Sequence, residues 1–187
     1  MLTDKEITNV IEDALCSIWE NQIKDDFDKI RILNEDTLKN AIYYHLRNRL
    51  GKLFDEQDIR ILTEFTDGEF RGSGYRPDMV IAKINMDSDA DCWRGAITEC
   101  LAIIEIKMKN RFIDNLAIYA DYDKLRAYIE ELKIKGKLYM ATIWEYEDDE
   151  SSWIRKNAAW AKDRVTELNA SYKQNSDGET QFYVVKH

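Results

Sequence analysis

At 187 residues, with 44% hydrophobic residues and five Trp, ten Tyr and six Phe, the chain is long enough for one folded domain with a sizeable core. A net charge of −9 argues against tight, non-specific capture of nucleic acid by the chain alone, because phosphate contacts normally need a basic footprint. No apolar run approaches the roughly 20 residues that span a bilayer. The N-terminus lacks a signal-peptide pattern, and three cysteines (Cys16, Cys92, Cys100) without zinc-like spacing predict a reduced, cytoplasmic protein.

Thr3-Asp4-Lys5-Glu6 has capping-box spacing and is followed by Ile7, Val10, Ile11, Ala14, Leu15 and Ile18 at helical period. Ile23, Phe27 and Ile30 mark a second amphipathic piece. Asn34 is placed to cap a third helix with Glu35 and Asp36 in its first turn, an apolar stripe of Leu38, Ile42, Leu46 and Leu50, and Gly51 as its stop. Ile59 to Phe65 predicts a strand, and the chain's only proline, Pro77, opens a second at Met79-Val80-Ile81-Ala82. The polar stretch 86–98 reads as a hairpin loop leading to a third strand at Leu101-Ala102-Ile103-Ile104. A helix starting at Asp121 or Asp123, a strand over Lys137 to Trp144, a helix through Trp153, Ile154, Ala158, Ala161, Val165 and Leu168, and a last strand over Gln181 to Val185 complete the reading.

This order predicts an α/β fold, a mixed central sheet flanked by helices, in a single domain over 1–187. The core spans about 34–145, preceded by a helical segment over 3–33 and followed by a helix and strand over 151–187.

Two short motifs carry chemistry. Asp78 stands at the mouth of the second strand, and Glu105-Ile106-Lys107 ends the third. Alternation along a strand points Glu105 and Lys107 to one face and Ile106 to the other, and pairing of the two strands brings Asp78 to the same place. Two carboxylates that close repel unless a cation lies between them. The flanking Leu101–Ile104 run has the look of a buried central strand, where ionised groups are expensive unless paired or metal-bound. The competing reading is a same-face ion pair on an edge strand.

The helix–βββ–α–β order with Pro77-Asp78 and Glu105-Ile106-Lys107 resembles the PD-(D/E)xK nuclease superfamily, the restriction-endonuclease-like αβββαβ fold, over roughly residues 34–145. The resemblance implies a Mg²⁺-dependent nuclease (Mn²⁺ as substitute) that hydrolyses phosphodiester bonds, with DNA as the substrate. It implies metal binding by Asp78, Glu105, the main-chain carbonyl of Ile106 and an acid from the preceding helix, Glu35, with Glu64 as a weaker candidate for that acid. Lys107 would position or activate the attacking water. A homodimer or a protein partner remains open, as do two rival readings: a non-catalytic interaction module and a nuclease subunit that depends on a partner for DNA.

Arg47, Arg49 and Lys52, with Lys39, give the third helix a basic end; Lys109 and Arg111 follow Lys107, and Arg71 and Arg76 precede Asp78. These are the candidate nucleic-acid contacts, against the plainer reading of a solvated helix face. Lys124 sits where the resemblance implies an auxiliary catalytic or phosphate-contacting residue, with a helix-surface lysine as the preferred reading, and His45 and His187 offer no histidine-based mechanism. Asp87-x-Asp89-x-Asp91 begins like a calcium loop, but Cys92 stands where glycine is required.

Overall fold

The computed structural model describes residues 2–86, 96–109, 115–145, 152–154, 158–172 and 178–187. Arg111 and the Asp87–Cys92 motif lie outside these residues.

Helix α1 (Asp4–Ile18) starts with the expected capping box: the Thr3 hydroxyl accepts from the Glu6 N–H while the Glu6 carboxylate accepts from the Thr3 N–H. It runs through a π turn (Trp19–Ile23) into α2 (Lys24–Asp28). Helix α3 (Glu35–Glu56) is capped by Asn34. It does not stop at Gly51: burial of Phe54 holds a further turn in place. Strands β1 (Ile59–Thr63), β2 (Met79–Ile84) and β3 (Ile97–Lys109) follow, then α4 (Asn115–Glu130), β4 (Lys137–Trp144), β5 (Val165–Tyr172) and β6 (Thr180–Lys186).

The six strands lie in sequence order in one sheet, antiparallel at β1–β2, β2–β3 and β5–β6 and parallel at β3–β4 and β4–β5. The fold is therefore α/β with a mixed central sheet between helices, as the sequence predicts. Helix α4 lies between the parallel strands β3 and β4 in the chain, the usual service of a crossover helix. One sheet face packs under α1 and α3 through Ile81, Ile104, Ile106, Tyr139, Ile143 and Leu168. The opposite face packs under α4 through Val80, Ile103, Met140 and Val165 against Ile118, Leu125 and Tyr128.

Two expectations are corrected. Residues 165–172 form strand β5, not the end of a helix. Ile154, Ala158, Ala161, Val165 and Leu168 do recur at helical spacing, but that stretch is divided: residues 159–164 are turns, and Val165 onward pairs with β4 and β6. Burial on both faces of β5 lets sheet pairing override a local periodic signal. Helix α4 also begins six residues before Asp121, fixed there by buried Ile118, so Asp121 and Lys124 sit in mid-helix. Gly136 has a structural reason: a Cβ there would stand 2.4 Å from the Cys100 carbonyl oxygen and 2.7 Å from the Leu101 carbonyl. The start of β4 thus closes directly on β3.

Candidate functional site

Asp78 and Glu105 meet on the α4-facing side of the sheet, as their strand positions require. Asp78 Oδ2 accepts the Ile106 N–H at 2.8 Å, which ties the mouth of β2 to the middle of β3. Glu105 is 0% exposed. Its Oε2 accepts from Lys124 Nζ at 2.8 Å and its Oε1 from the Tyr128 hydroxyl at 2.6 Å. Lys107, two residues further and on the same face, lies 3.3 Å from Glu35 Oε1 and 3.2 Å from Asp121 Oδ2. Asp121 Oδ1 is in turn 2.8 Å from Lys124 Nζ. Glu35, at the first turn of α3, also accepts the Met108 N–H at 3.4 Å.

The structure thus brings Asp78, Glu105, Lys107 and Glu35 into one connected cluster and adds three residues from α4: Asp121, Lys124 and Tyr128. Lys124, expected on a surface, faces inward. The three recur at i, i+3 and i+7, one stripe of a helix, and that spacing was the available signal once the helix start is set correctly. Glu64 is adjacent rather than central. It holds a left-handed backbone (φ 52°) and its N–H donates to the Asp78 carbonyl at 3.1 Å, while its carboxylate pairs with Lys39 at 2.5 Å and Arg76 at 2.9 Å. An open groove of about 870 Å³ begins at Glu64 and follows β1 past Arg60, with Asn40 and Tyr43 of α3 on its other wall.

The electrostatics are those of buried acids. Burial pushes the Glu105 carboxyl up to about 8 against the opposing pull of the Lys124 ammonium, and the neighbouring Asp78 adds to the rise. Burial likewise raises Asp78, against the Ile106 N–H and Lys124. For Lys107 burial pulls downward, but Asp121 and Glu35 outweigh it and hold the ammonium above its ordinary value. Glu35, Asp78, Glu105 and Asp121 set four acids against the two amines Lys107 and Lys124. Fully ionised, the cluster carries two unbalanced negative charges.

That deficit and the all-oxygen acids suit a divalent cation in type and in charge. The number of free ligands is smaller. Both Glu105 oxygens already accept hydrogen bonds, and among the described residues no three His, Cys, Asp or Glu side chains are gathered closely enough to hold a metal ion.

The expected nucleic-acid contacts are not gathered at the cluster. Arg47, Arg49 and Lys52 stand 12 or more residues beyond Glu35 on α3, about 18 Å or more along the helix. Arg47 pairs with Asp55 at 3.0 Å, Lys52 lies 3.8 Å from Glu56, and Arg49 donates to the Ser17 hydroxyl at 2.8 Å. Arg71 pairs with Asp67. Arg76, on Glu64, is near the site, and Lys109 lies over the Trp144 ring at 4.1 Å. His45 is held by Asp26 at 2.7 Å on the far side of α3. Ser152, His187 and Glu167 mimic a nucleophile–base–acid set, but Ser152 Oγ and Glu167 Oε2 both contact the same nitrogen, Nε2. One nitrogen cannot relay a proton between them in the usual way.

No family model, curated protein or solved structure matches the chain. The resemblance to PD-(D/E)xK nucleases rests on the residues themselves. Among the described residues no helix is long and apolar enough to cross a membrane.

Proposed function

We propose that this protein is a metal-dependent nuclease of the PD-(D/E)xK kind, acting on phosphodiester bonds of DNA at a cytoplasmic location. The observation that carries this reading is the convergence of Asp78, Glu105 and Lys107 on one sheet face, in a cluster with more carboxyl groups than amines. Asp78, Glu105 and the Ile106 carbonyl would hold Mg²⁺ or Mn²⁺, with Glu35 beside them. When bound, such an ion lowers the pKa of water and neutralises charge on the reacting phosphate.

The chain's own groups do the rest. Lys107, kept protonated by Asp121 and Glu35, places a positive charge where the phosphate becomes more negative. Lys124 Nζ and the Tyr128 hydroxyl each hold one oxygen of Glu105. The burial of Glu105 removes competing water from the acid.

A second reading has its own support: Lys124 already occupies the cation's side of Glu105 at 2.8 Å. A protein that reuses the fold for binding another protein, or a subunit needing a partner to engage DNA, would keep that pair closed. Cleavage of plasmid and single-stranded DNA with Mg²⁺ and with Mn²⁺ separates these readings. The nuclease reading expects metal-dependent cutting that is lost in folded Asp78→Ala and Lys107→Ala proteins. Absence of cutting by the wild type, with or without metal, leaves the binding reading.

A further inference from the structure

Strand β1 is an edge of the sheet, and among the described strands it pairs with β2 alone. Its register fixes which main-chain groups that pairing uses. The Asp58 carbonyl accepts the Ile84 N–H at 2.9 Å, and the Glu64 N–H donates to the Asp78 carbonyl at 3.1 Å. The even-numbered residues from 58 to 64 therefore turn their N–H and C=O toward β2. In an antiparallel ladder the alternate residues turn theirs the other way, so Ile59, Ile61 and Thr63 face outward. The Ile59 carbonyl accepts from the Arg60 guanidinium at 2.8 Å. The N–H and C=O of Ile61 and Thr63 meet no partner among the described residues.

Natural sheets blunt such an edge with lysine, proline, a bulge or a covering element. β1 reads Ile59-Arg60-Ile61-Leu62-Thr63, with no proline and no lysine, and its pairing with β2 runs without a bulge. The space beside it is the open groove of about 870 Å³, whose lining includes Tyr43, Ile61, Leu62, Phe65, Met86 and Ile97. Tyr43 and Met86 are large apolar side chains left exposed. An apolar trough along an open strand edge suits the addition of another strand.

The strand that fits is a second copy of β1. Antiparallel pairing about Leu62 sets Ile61 against the second copy's Thr63, and Thr63 against its Ile61, so the open groups of both copies satisfy one another. Centring the pair on Ile61 would instead bring in the Ile59 carbonyl, which Arg60 already holds. The charges agree. The groove has Arg60 toward one end and Glu64 and Asp67 toward the other, and an antiparallel copy lays each end against its opposite.

We propose that the free edge of β1 is a self-association surface, through which two copies of this chain join in an isologous dimer with one continuous sheet. The two-fold axis passes by Leu62 and runs perpendicular to the sheet, so the Asp78–Glu105 clusters of both copies lie on the same side of it. Leu62 faces the second copy's Leu62 as a non-hydrogen-bonded pair, the closer kind of cross-strand pair. The inference is independent of the nuclease reading.

The test is sedimentation equilibrium of the full chain over about 1–300 µM, with wild type beside Thr63→Pro. Thr63 is exposed, and its outward N–H is one that β2 does not use, the position where an edge strand tolerates proline. A short edge gives a small interface, so the proposal predicts a mass rising from one chain toward two with a midpoint on the order of 10 µM. Thr63→Pro should weaken this association about 10-fold or more while melting close to the wild type at low concentration. Leu62→Cys, made with Cys16→Ser and Cys92→Ser, supplies a second readout that does not depend on the proline variant folding. Its two thiols meet across the axis at a distance a disulfide can span, so mild oxidation should link two chains, whereas Thr63→Cys in the same background should not link. A wild type that stays a single chain at the highest concentration overturns the proposal and leaves the edge to an extended segment of another protein. A dimer that folded Thr63→Pro leaves intact, or equal linking through Leu62→Cys and Thr63→Cys, also overturns it, since the copies then meet elsewhere.

Discussion

Replacing Lys124 by Met tests how the cluster is held together. Lys124 is the main charge partner of Glu105, 2.8 Å from a carboxylate that is fully buried. Removing one member of a buried pair typically costs about 3–5 kcal/mol when the other stays ionised. Glu105 need not stay ionised, because burial already raises it to about 8. At about pH 6 most of the wild-type protein carries Glu105 as the neutral acid, and the variant should lose only about 1 kcal/mol, the value of an ordinary hydrogen bond. At about pH 9 the wild type has an ion pair that the variant lacks, but Glu105 of the variant can keep its proton at about 1.4 kcal/mol per pH unit above 8, so the loss should rise only to about 2–3 kcal/mol. For a domain of this size that is a fall in Tm of about 7 °C. Denaturant unfolding at the two pH values, repeated in a Glu105→Gln background, measures this directly. A loss that is equal at both pH values, or that persists undiminished in the Glu105→Gln background, would refute the account of Lys124 as the charge partner of Glu105.

Further outcomes follow from the same structure. A carboxyl whose folded pKa is raised binds its proton more tightly in the native state, so its stabilisation is complete below about pH 4.5 and is lost as pH rises through about 8. Unfolding free energy should therefore fall across that window by at most about 1.4 kcal/mol per pH unit, and Glu105→Gln should flatten the slope in urea titrations. Gly136→Ala forces a Cβ against the β3 main chain and should cost about 3 kcal/mol or more, or abolish soluble expression, as overpacking against backbone does; a melt within a degree or two of wild type would contradict the close approach. Thr3→Ala removes one half of the capping box and should cost about 1 kcal/mol, seen as a small shift in the urea midpoint.

What the sequence made legible was chemistry attached to regular alternation. Asp78, Glu105 and Lys107 could be placed on one face because Met79–Ala82 and Leu101–Ile104 read unmistakably as strands, and their parity followed. Glu35 followed from the Asn34 cap, which fixes the first turn of α3. What was not legible depended on where elements begin and on tertiary choice. Lys124 was misplaced because Asp121 resembles a helix start, while the true start lies earlier and turns Asp121, Lys124 and Tyr128 inward. Strand β5 was hidden because Val165 and Leu168 continue a helical spacing, and only pairing with β4 and β6 decides for the sheet. Pairing of Arg47 and Lys52 with acids of the following turn was missed with the extra turn of α3, whose Asp55 and Glu56 lie beyond Gly51.

The most direct measurement is calorimetric titration of the purified protein with Mn²⁺, beside a folded Asp78→Asn variant. The account predicts binding near one ion per chain in the wild type and its loss, or a weakening of about 10-fold or more, in the variant. No binding by the wild type, or equal binding by both proteins, would contradict the assignment of Asp78 and Glu105 as a metal site.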